Sequence, residues 1–200
     1  MGRMRERPIA SPRGESGWGR WIGRVLRNIK PKTLGLYIGA VILLLVADPT
    51  RPSFTVGLSL VALGESIRLW AAGCLQKNRV LVTGGPYGYV KNPLYIGTML
   101  ITAGFCVMAD SIYLLTLAFL GFILYYVPYK RRVEHQRLRN RFGDTFTEYD
   151  RHVDDYMPRL RSYEKGEGVW RFRRMIENGE LGVVVLLTLG VIAIGLRLWF

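Results

Sequence analysis

Leu81-Val82-Thr83-Gly84-Gly85-Pro86-Tyr87-Gly88-Tyr89-Val90-Lys91-Asn92-Pro93-Leu94-Tyr95-Ile96-Gly97 is a polar, turn-forming insertion between two long apolar runs. Gly84-Gly85-Pro86 reads as a turn, because glycine tolerates positive φ and proline presets the φ of its own position. Asn92-Pro93 reads as a helix start: Asn92 takes the N-cap, and Pro93 stands where a missing N–H costs nothing. The result is a helix mouth with free backbone N–H groups, one cation (Lys91) and three tyrosines. Such a mouth suits a polar, partly anionic ligand.

Working outward, the chain alternates apolar and basic blocks. Of 200 residues half are apolar, yet 28 Lys and Arg face 15 Asp and Glu, a formal charge of +13. Basic soluble chains suggest nucleic acid, but here charge and apolar residues are segregated, as in an integral membrane protein, so nucleic acid is not an expected partner. The apolar runs are 34–47, 53–74, 94–109, 112–128 and 181–199. A spanning helix needs about 20 residues; the second and fifth runs meet this outright, and the shorter ones need snorkelling flanks or local bilayer thinning. The expected fold is all-α, a polytopic membrane bundle of about five spans with cytoplasmic amphipathic helices forming a pocket. Residues 1–32, 75–94 and 129–180 together carry 25 of the 28 basic residues. By the positive-inside rule the N-terminus and the central motif face the cytoplasm, and Phe200 lies outside.

Three regions follow. Residues 1–32 form a basic arm in which Trp18, Trp21, Ile22, Val25, Leu26 and Ile29 recur at helical spacing, an interfacial amphipathic helix. A secretory signal peptide is the alternative for this arm, and its long basic region argues against it. Residues 33–160 form the core, and 161–200 an interfacial segment plus a last span. Within the second span Glu65 and Arg68, three apart, share a helix face and can pair, as a functional site or as a structural ion pair. Asp110-Ser111 makes a tight turn between the third and fourth runs. Lys130–Arg141 continues as a basic helix, broken at Phe142-Gly143-Asp144, with a second amphipathic helix running to Pro158. Glu134 is its lone acid, available to accept hydrogen bonds. Cys74, Cys106, His135 and His152 show no metal spacing, so no metal is expected. Without a nucleophile–base pair, chemistry supplied by a bound cofactor fits best, and no catalytic residue is nominated.

Leu81-Val82-Thr83-x-Gly85-Pro86-Tyr87, then Lys91-Asn92-Pro93-x-Tyr95-x-Gly97, then Glu134-x-x-x-Leu138-x-x-x-Phe142-Gly143 with Tyr149 and Pro158, resembles the isoprenylcysteine carboxyl methyltransferase and phospholipid N-methyltransferase superfamily. Arg68-x-Trp70-Ala71 is similar to that family's preceding helix. The resemblance covers roughly residues 60–160. Lys91-Asn92 stands where the family usually has Arg-His, and His135 replaces a second Glu; Lys is the poorer bidentate donor.

The resemblance implies S-adenosylmethionine in a cytoplasmic pocket. Arg79, Val80, Leu81 and Val82 would line the adenosine side. Tyr87, Asn92, Pro93, Leu94 and Tyr95 would surround the cofactor, and Glu134 would anchor its polar end. Lys130 matches a family substrate-binding arginine. The plainer readings are interfacial anchoring for Tyr87 and Tyr95 and membrane flanking for Lys130. The implied activity is methyl transfer to a lipophilic or membrane-embedded acceptor at the cytoplasmic leaflet. Competing readings are a nicotinamide-dependent membrane reductase of the sterol-reductase type and a non-enzymatic protein binding anionic lipid.

Overall fold

In a computed structural model the described residues are 31–76, 80–122, 124, 127–163 and 168–199, without the side chains of 31–38 and 127–131. The amphipathic arm expected at Trp18–Ile29 lies outside them. Every described element is helical: α1 Pro31–Val46, α2 Arg51–Cys74, α3 Pro93–Met108, α4 Ile112–Gly121, α5 Val127–His152, α6 Phe172–Glu177 and α7 Glu180–Leu196, with a 3-10 turn at Gly85–Gly88. Among the described residues α2 alone is long and apolar enough to cross a membrane; α3, α4 and α7 are shorter apolar helices.

α2 starts with a capping box in which the Thr50 hydroxyl and the Ser53 side chain exchange hydrogen bonds with each other's backbone N–H. Such reciprocal capping satisfies two donors that the first turn would otherwise leave open. The turn before α4 has Asp110 at φ 54°, and the Ser111 hydroxyl caps Leu114 N–H. Its main chain closes the same end of the bundle: Asp48 N–H donates to Ala109 O.

α2 and α3 lie antiparallel and touch backbone to backbone through glycines spaced seven residues apart. A Cβ built on Gly57 would stand 2.5 Å from Gly104 O, and one on Gly64 would stand 2.6 Å from Gly97 O. Small residues at this spacing let two apolar helices approach without side chains between them. Around the far end of this pair, Val61, Met108 and Ile194 form a core cluster joined by Phe54, Phe105 and Val191. α4, by contrast, is apolar all round and buries no residue.

Residues 168–178 close the C-terminal end of α2. A helix leaves its last carbonyls unsatisfied, and here the later segment supplies the donors. Trp170 Nε1 donates to Leu69 O at 3.0 Å, Arg171 N–H to Gly73 O at 2.9 Å, and Asn178 Nδ2 to Ala72 O and Leu75 O at 2.8 and 3.1 Å. The sequence read this stretch as interfacial; it is also a strap across the helix end. Gly73 must be glycine because a Cβ there would run into the Trp170 indole.

The strap leads into α7, whose first residue adds a third member to the ion pair read from the sequence. Glu65 does lie 3.6 Å from Arg68 Nε, but neither Glu65 oxygen has a hydrogen-bond partner among the described residues. The Arg68 guanidinium instead grips Glu180, with Nη2 2.9 and 2.8 Å from the two carboxylate oxygens, and donates to Thr98 Oγ1 at 2.7 Å. Glu180 is 4% exposed. The pair therefore ties the last helix to α2 and α3.

Candidate functional site

The opening stretch folds as the turn its glycines require. Gly85 sits at φ 60°, and Pro86, Tyr87 and Gly88 are buried in the 3-10 turn that follows. Asn92 takes the N-cap of α3 with Pro93 next, yet its side chain makes no capping bond. The Asn92 amide donates to Asp155 O at 3.2 Å. The capping expectation is thus corrected: the position is right, and the side chain serves a tertiary contact.

Main-chain bonds sew the motif to residues 154–163: Lys91 N–H donates to Asp154 O, Arg159 N–H to Tyr89 O and Tyr163 N–H to Gly88 O, each at 2.9 Å. Those residues are delivered by α5, which kinks at Gly143, φ 53° and ψ −125°. The kink is the break expected from Phe142-Gly143-Asp144. It turns Phe146, Tyr149 and Val153 into a buried cluster with Leu81, Leu138 and Phe142. The Tyr149 hydroxyl donates to Tyr87 O at 2.6 Å.

Between these two walls lies a cavity of about 370 Å³. Val80, Leu81, Val82, Tyr87, Asn92, Pro93, Leu94, Tyr95 and Glu134 all line it. Arg79 lies outside the described residues, as does the Lys130 side chain. Lining residues the sequence did not nominate include Leu75 and Gln76 at the end of α2, Arg137, Leu138 and Arg141 on α5, and Asp155 beyond it. The α5 residues follow Glu134 at helical intervals, a signal that was present in the basic run. Nothing local marks Asp155.

Two polar features face this space. The Tyr95 hydroxyl donates to Glu134 Oε2 at 2.5 Å, holding the carboxylate toward the helix mouth. The Tyr87 hydroxyl is buried with no hydrogen-bond partner among the described residues. Burial foremost, with Tyr149 and Cys74 nearby, pushes its pKa up, so it stays protonated and can donate. An unpaired buried hydroxyl is costly, and a ligand acceptor in the cavity would relieve it.

Behind Asn92 is an ionic cluster that spacing in the sequence does not suggest. The Lys91 ammonium, 8% exposed, lies between Asp150 and Asp155, 3.1 Å from Asp155 Oδ1 and closer still to Asp150 Oδ1. His135 Nε2 is 2.8 Å from Asp155 Oδ1. His135, Asp150 and Asp155 bring their ligand atoms within 4.8 Å of one another, a gathering of metal-ligand types unforeseen in the sequence. The cation among them is Lys91, which pairs with both aspartates. The two positions that depart from the family pattern, Lys91-Asn92 and His135, thus meet on the same aspartate.

Burial alone would raise the Asp155 pKa, but the His135 hydrogen bond and the Lys91 charge outweigh it and hold the carboxyl below its ordinary 3.8. A depressed carboxylate stabilises the fold above its unfolded pKa, and that stabilisation is lost as pH falls through the folded one. Asp155→Asn should therefore cost roughly 2 kcal/mol at neutral pH, the range for a charged hydrogen bond. The gap should shrink as pH falls below 3.8 and through the lowered folded pKa. Thermal melts of both proteins in detergent from pH 7 to 2.5 check this; a constant gap across the range would refute it.

Comparison with known proteins adds family evidence. Residues 52–145 match the phospholipid methyltransferase family. The chain is 36% identical over 118 residues to the cobalt-zinc-cadmium resistance protein CzcN of Cupriavidus metallidurans, covering 58% of this chain and 53% of that one. It is 35% identical over 108 residues to the nickel-cobalt-cadmium resistance protein NccN of Alcaligenes xylosoxydans xylosoxydans, covering 53% and 50%. The matched region thus spans about half the length of these curated relatives. No solved structure matches the chain significantly.

Proposed function

We propose, from the match of residues 52–145 to the phospholipid methyltransferase family, that the chain is an S-adenosylmethionine-dependent membrane methyltransferase acting on a lipophilic acceptor at the cytoplasmic leaflet. The observation that carries the reading is the cavity. It joins the Gly85–Tyr95 motif, whose Tyr87 hydroxyl has no hydrogen-bond partner among the described residues, to Glu134.

The residues present fit the cofactor. Val80, Leu81 and Val82 offer an apolar wall with backbone polar groups for an adenosine. Glu134, oriented by Tyr95, is an anion suited to a sulfonium or an ammonium. Tyr87 offers a buried donor. When bound, S-adenosylmethionine supplies an electrophilic methyl group. The protein's part is then alignment and exclusion of water. Such positioning can remove several kcal/mol of a transfer barrier without a strong base, and no side chain here is required to form a covalent bond.

The membrane setting is part of the proposal. About five spans are inferred from the five apolar runs, supported by α2, by the all-round apolar surface of α4 and by the family. The basic segments support a cytoplasmic N-terminus and pocket and an outside Phe200. Residues 1–32, 33–160 and 161–200 are proposed as arm, core and C-terminal segment, with Arg79 beside the adenosine and Lys130 toward the acceptor. The relatives' names are carried over only as a setting, tolerance of divalent metals.

Titration calorimetry of the detergent-solubilised protein tests the reading. S-adenosylmethionine should bind, and Glu134→Gln should weaken it at least tenfold, the loss of one charge-assisted contact. Label from methyl-labelled cofactor should enter a native lipid extract with the native protein and not with the variant. Absence of cofactor binding, or tighter binding of a phosphorylated nicotinamide dinucleotide, overturns it.

A further inference from the structure

Arg137 and Arg141 do not belong to the motif residues that nominate a cofactor site, yet both line the cavity. They stand one turn apart on α5, ahead of the Gly143 kink, on the face that also presents Glu134 and Leu138. Side chains four apart on a helix are neighbours, about 5–6 Å between Cβ atoms, a separation at which two guanidiniums can share one oxyanion.

The charges around the cavity leave these arginines a distinct role. Lys91 is held by Asp150 and Asp155, and His135 by Asp155. Glu134 is held by Tyr95. The remaining cations of the lining are the two arginines, and both are exposed, at the cavity's rim. Each also interacts within the chain. A guanidinium has five N–H donors in a planar fork and can serve more than one acceptor at once. Leu75, Val80, Leu94 and Phe142 give the same cavity an apolar lining, so the rim is polar and the interior suits a hydrocarbon or an aromatic group.

We propose that Arg137 and Arg141 form an oxyanion subsite at the mouth of the cavity, recognising a carboxylate or phosphate on a molecule whose apolar part enters it. The proposal rests on the methyltransferase reading only for the source of the anion. Under that reading two sources exist, the carboxylate of the cofactor's methionine moiety and the headgroup of an anionic acceptor. The subsite itself requires neither.

Calorimetry of the full chain in dodecyl maltoside distinguishes the sources. The probes are S-adenosylmethionine, decarboxylated S-adenosylmethionine and dodecyl phosphate, and the variants are Arg137→Gln/Arg141→Gln and Arg139→Gln. Arg139 is exposed on the same helix and absent from the lining, so it controls for general surface charge. Loss of roughly tenfold or more in affinity in the double variant is expected for at least one probe. Loss for S-adenosylmethionine but not its decarboxylated form assigns the cofactor carboxylate. Loss for dodecyl phosphate assigns the acceptor headgroup. Native affinity of the double variant for every probe that the native protein binds, or an equal loss in Arg139→Gln, overturns the subsite. Failure of dodecyl phosphate and both cofactors to bind the native protein also overturns it. Failure of the native protein to bind either cofactor, with dodecyl phosphate still bound, removes the methyltransferase reading and leaves the subsite to be decided by the phosphate.

Discussion

Gly64→Leu is expected to destabilise the protein by about 3 kcal/mol or more, at the upper end of overpacking costs. The reason is the identity of the neighbouring atom. A Cβ at position 64 would stand 2.6 Å from the carbonyl oxygen of Gly97, with Ile101 atoms immediately beyond. A side chain could swing aside, but a backbone carbonyl inside α3 cannot move without parting the helices. Gly104→Leu should behave alike, since its Cβ would stand 2.7 Å from Gly57 O. Gly39→Leu is the control, with nothing within 4 Å of its added Cβ. Unfolding in mixed micelles with increasing dodecyl sulfate measures the difference. Equal stability of the Gly39 and Gly64 variants would remove glycine-mediated contact as the basis of the α2–α3 pair. Because the pocket hangs from the ends of these two helices, the cofactor binding proposed above should be lost along with stability.

The second large effect is expected at Arg68. Arg68→Ala would leave Glu180, bonded at 2.8 and 2.9 Å, and Glu65, at 3.6 Å, without their cation. Removing one partner of a buried ion pair costs about 3–5 kcal/mol, because a charge is left uncompensated. Glu180→Ala should cost less, since Glu65 stands beside Arg68 and can take its place. This asymmetry distinguishes a three-membered cluster from a simple pair. Combining Arg68→Met with Glu180→Leu and Glu65→Leu should recover much of the loss, as apolar replacement of buried ion pairs often does. If Glu180→Ala destabilises as much as Arg68→Ala, Glu65 plays no part in the balance.

The contrast between these two sites and the pocket shows what a chain discloses on its own. Turn and helix-start chemistry are local, so Gly85-Pro86 and Asn92-Pro93 could be read directly, and so could the break at Gly143. The residues nominated around the cavity were legible through the family resemblance, whose motif falls in two short segments. The partners of Arg68 and Lys91 were not. Glu180 is 112 positions from Arg68, and Asp150 and Asp155 stand in a charged run that resembles a solvated surface. Their burial arises only when the Gly143 kink folds the end of α5 back on the motif. Asn92 illustrates the same limit: its position follows from local rules, whereas the use of its amide depends on Asp155. The short apolar helices are another case. Composition marks 112–128 as one apolar run, whereas α4 within it is 10 residues long.

The strap across the end of α2 bears on how mutations in this chain should be ranked by position. Family similarity ends at residue 145, so a frameshift after that point would look harmless to anyone scoring damage by domain. Yet Trp170, Arg171 and Asn178 provide the donors that close the helix forming one side of the cavity. A chain ending at residue 165 would keep every motif residue and still leave the carbonyls of Ala72 and Gly73 without their donors, and unsatisfied buried groups are costly. Late truncations should therefore segregate with null alleles.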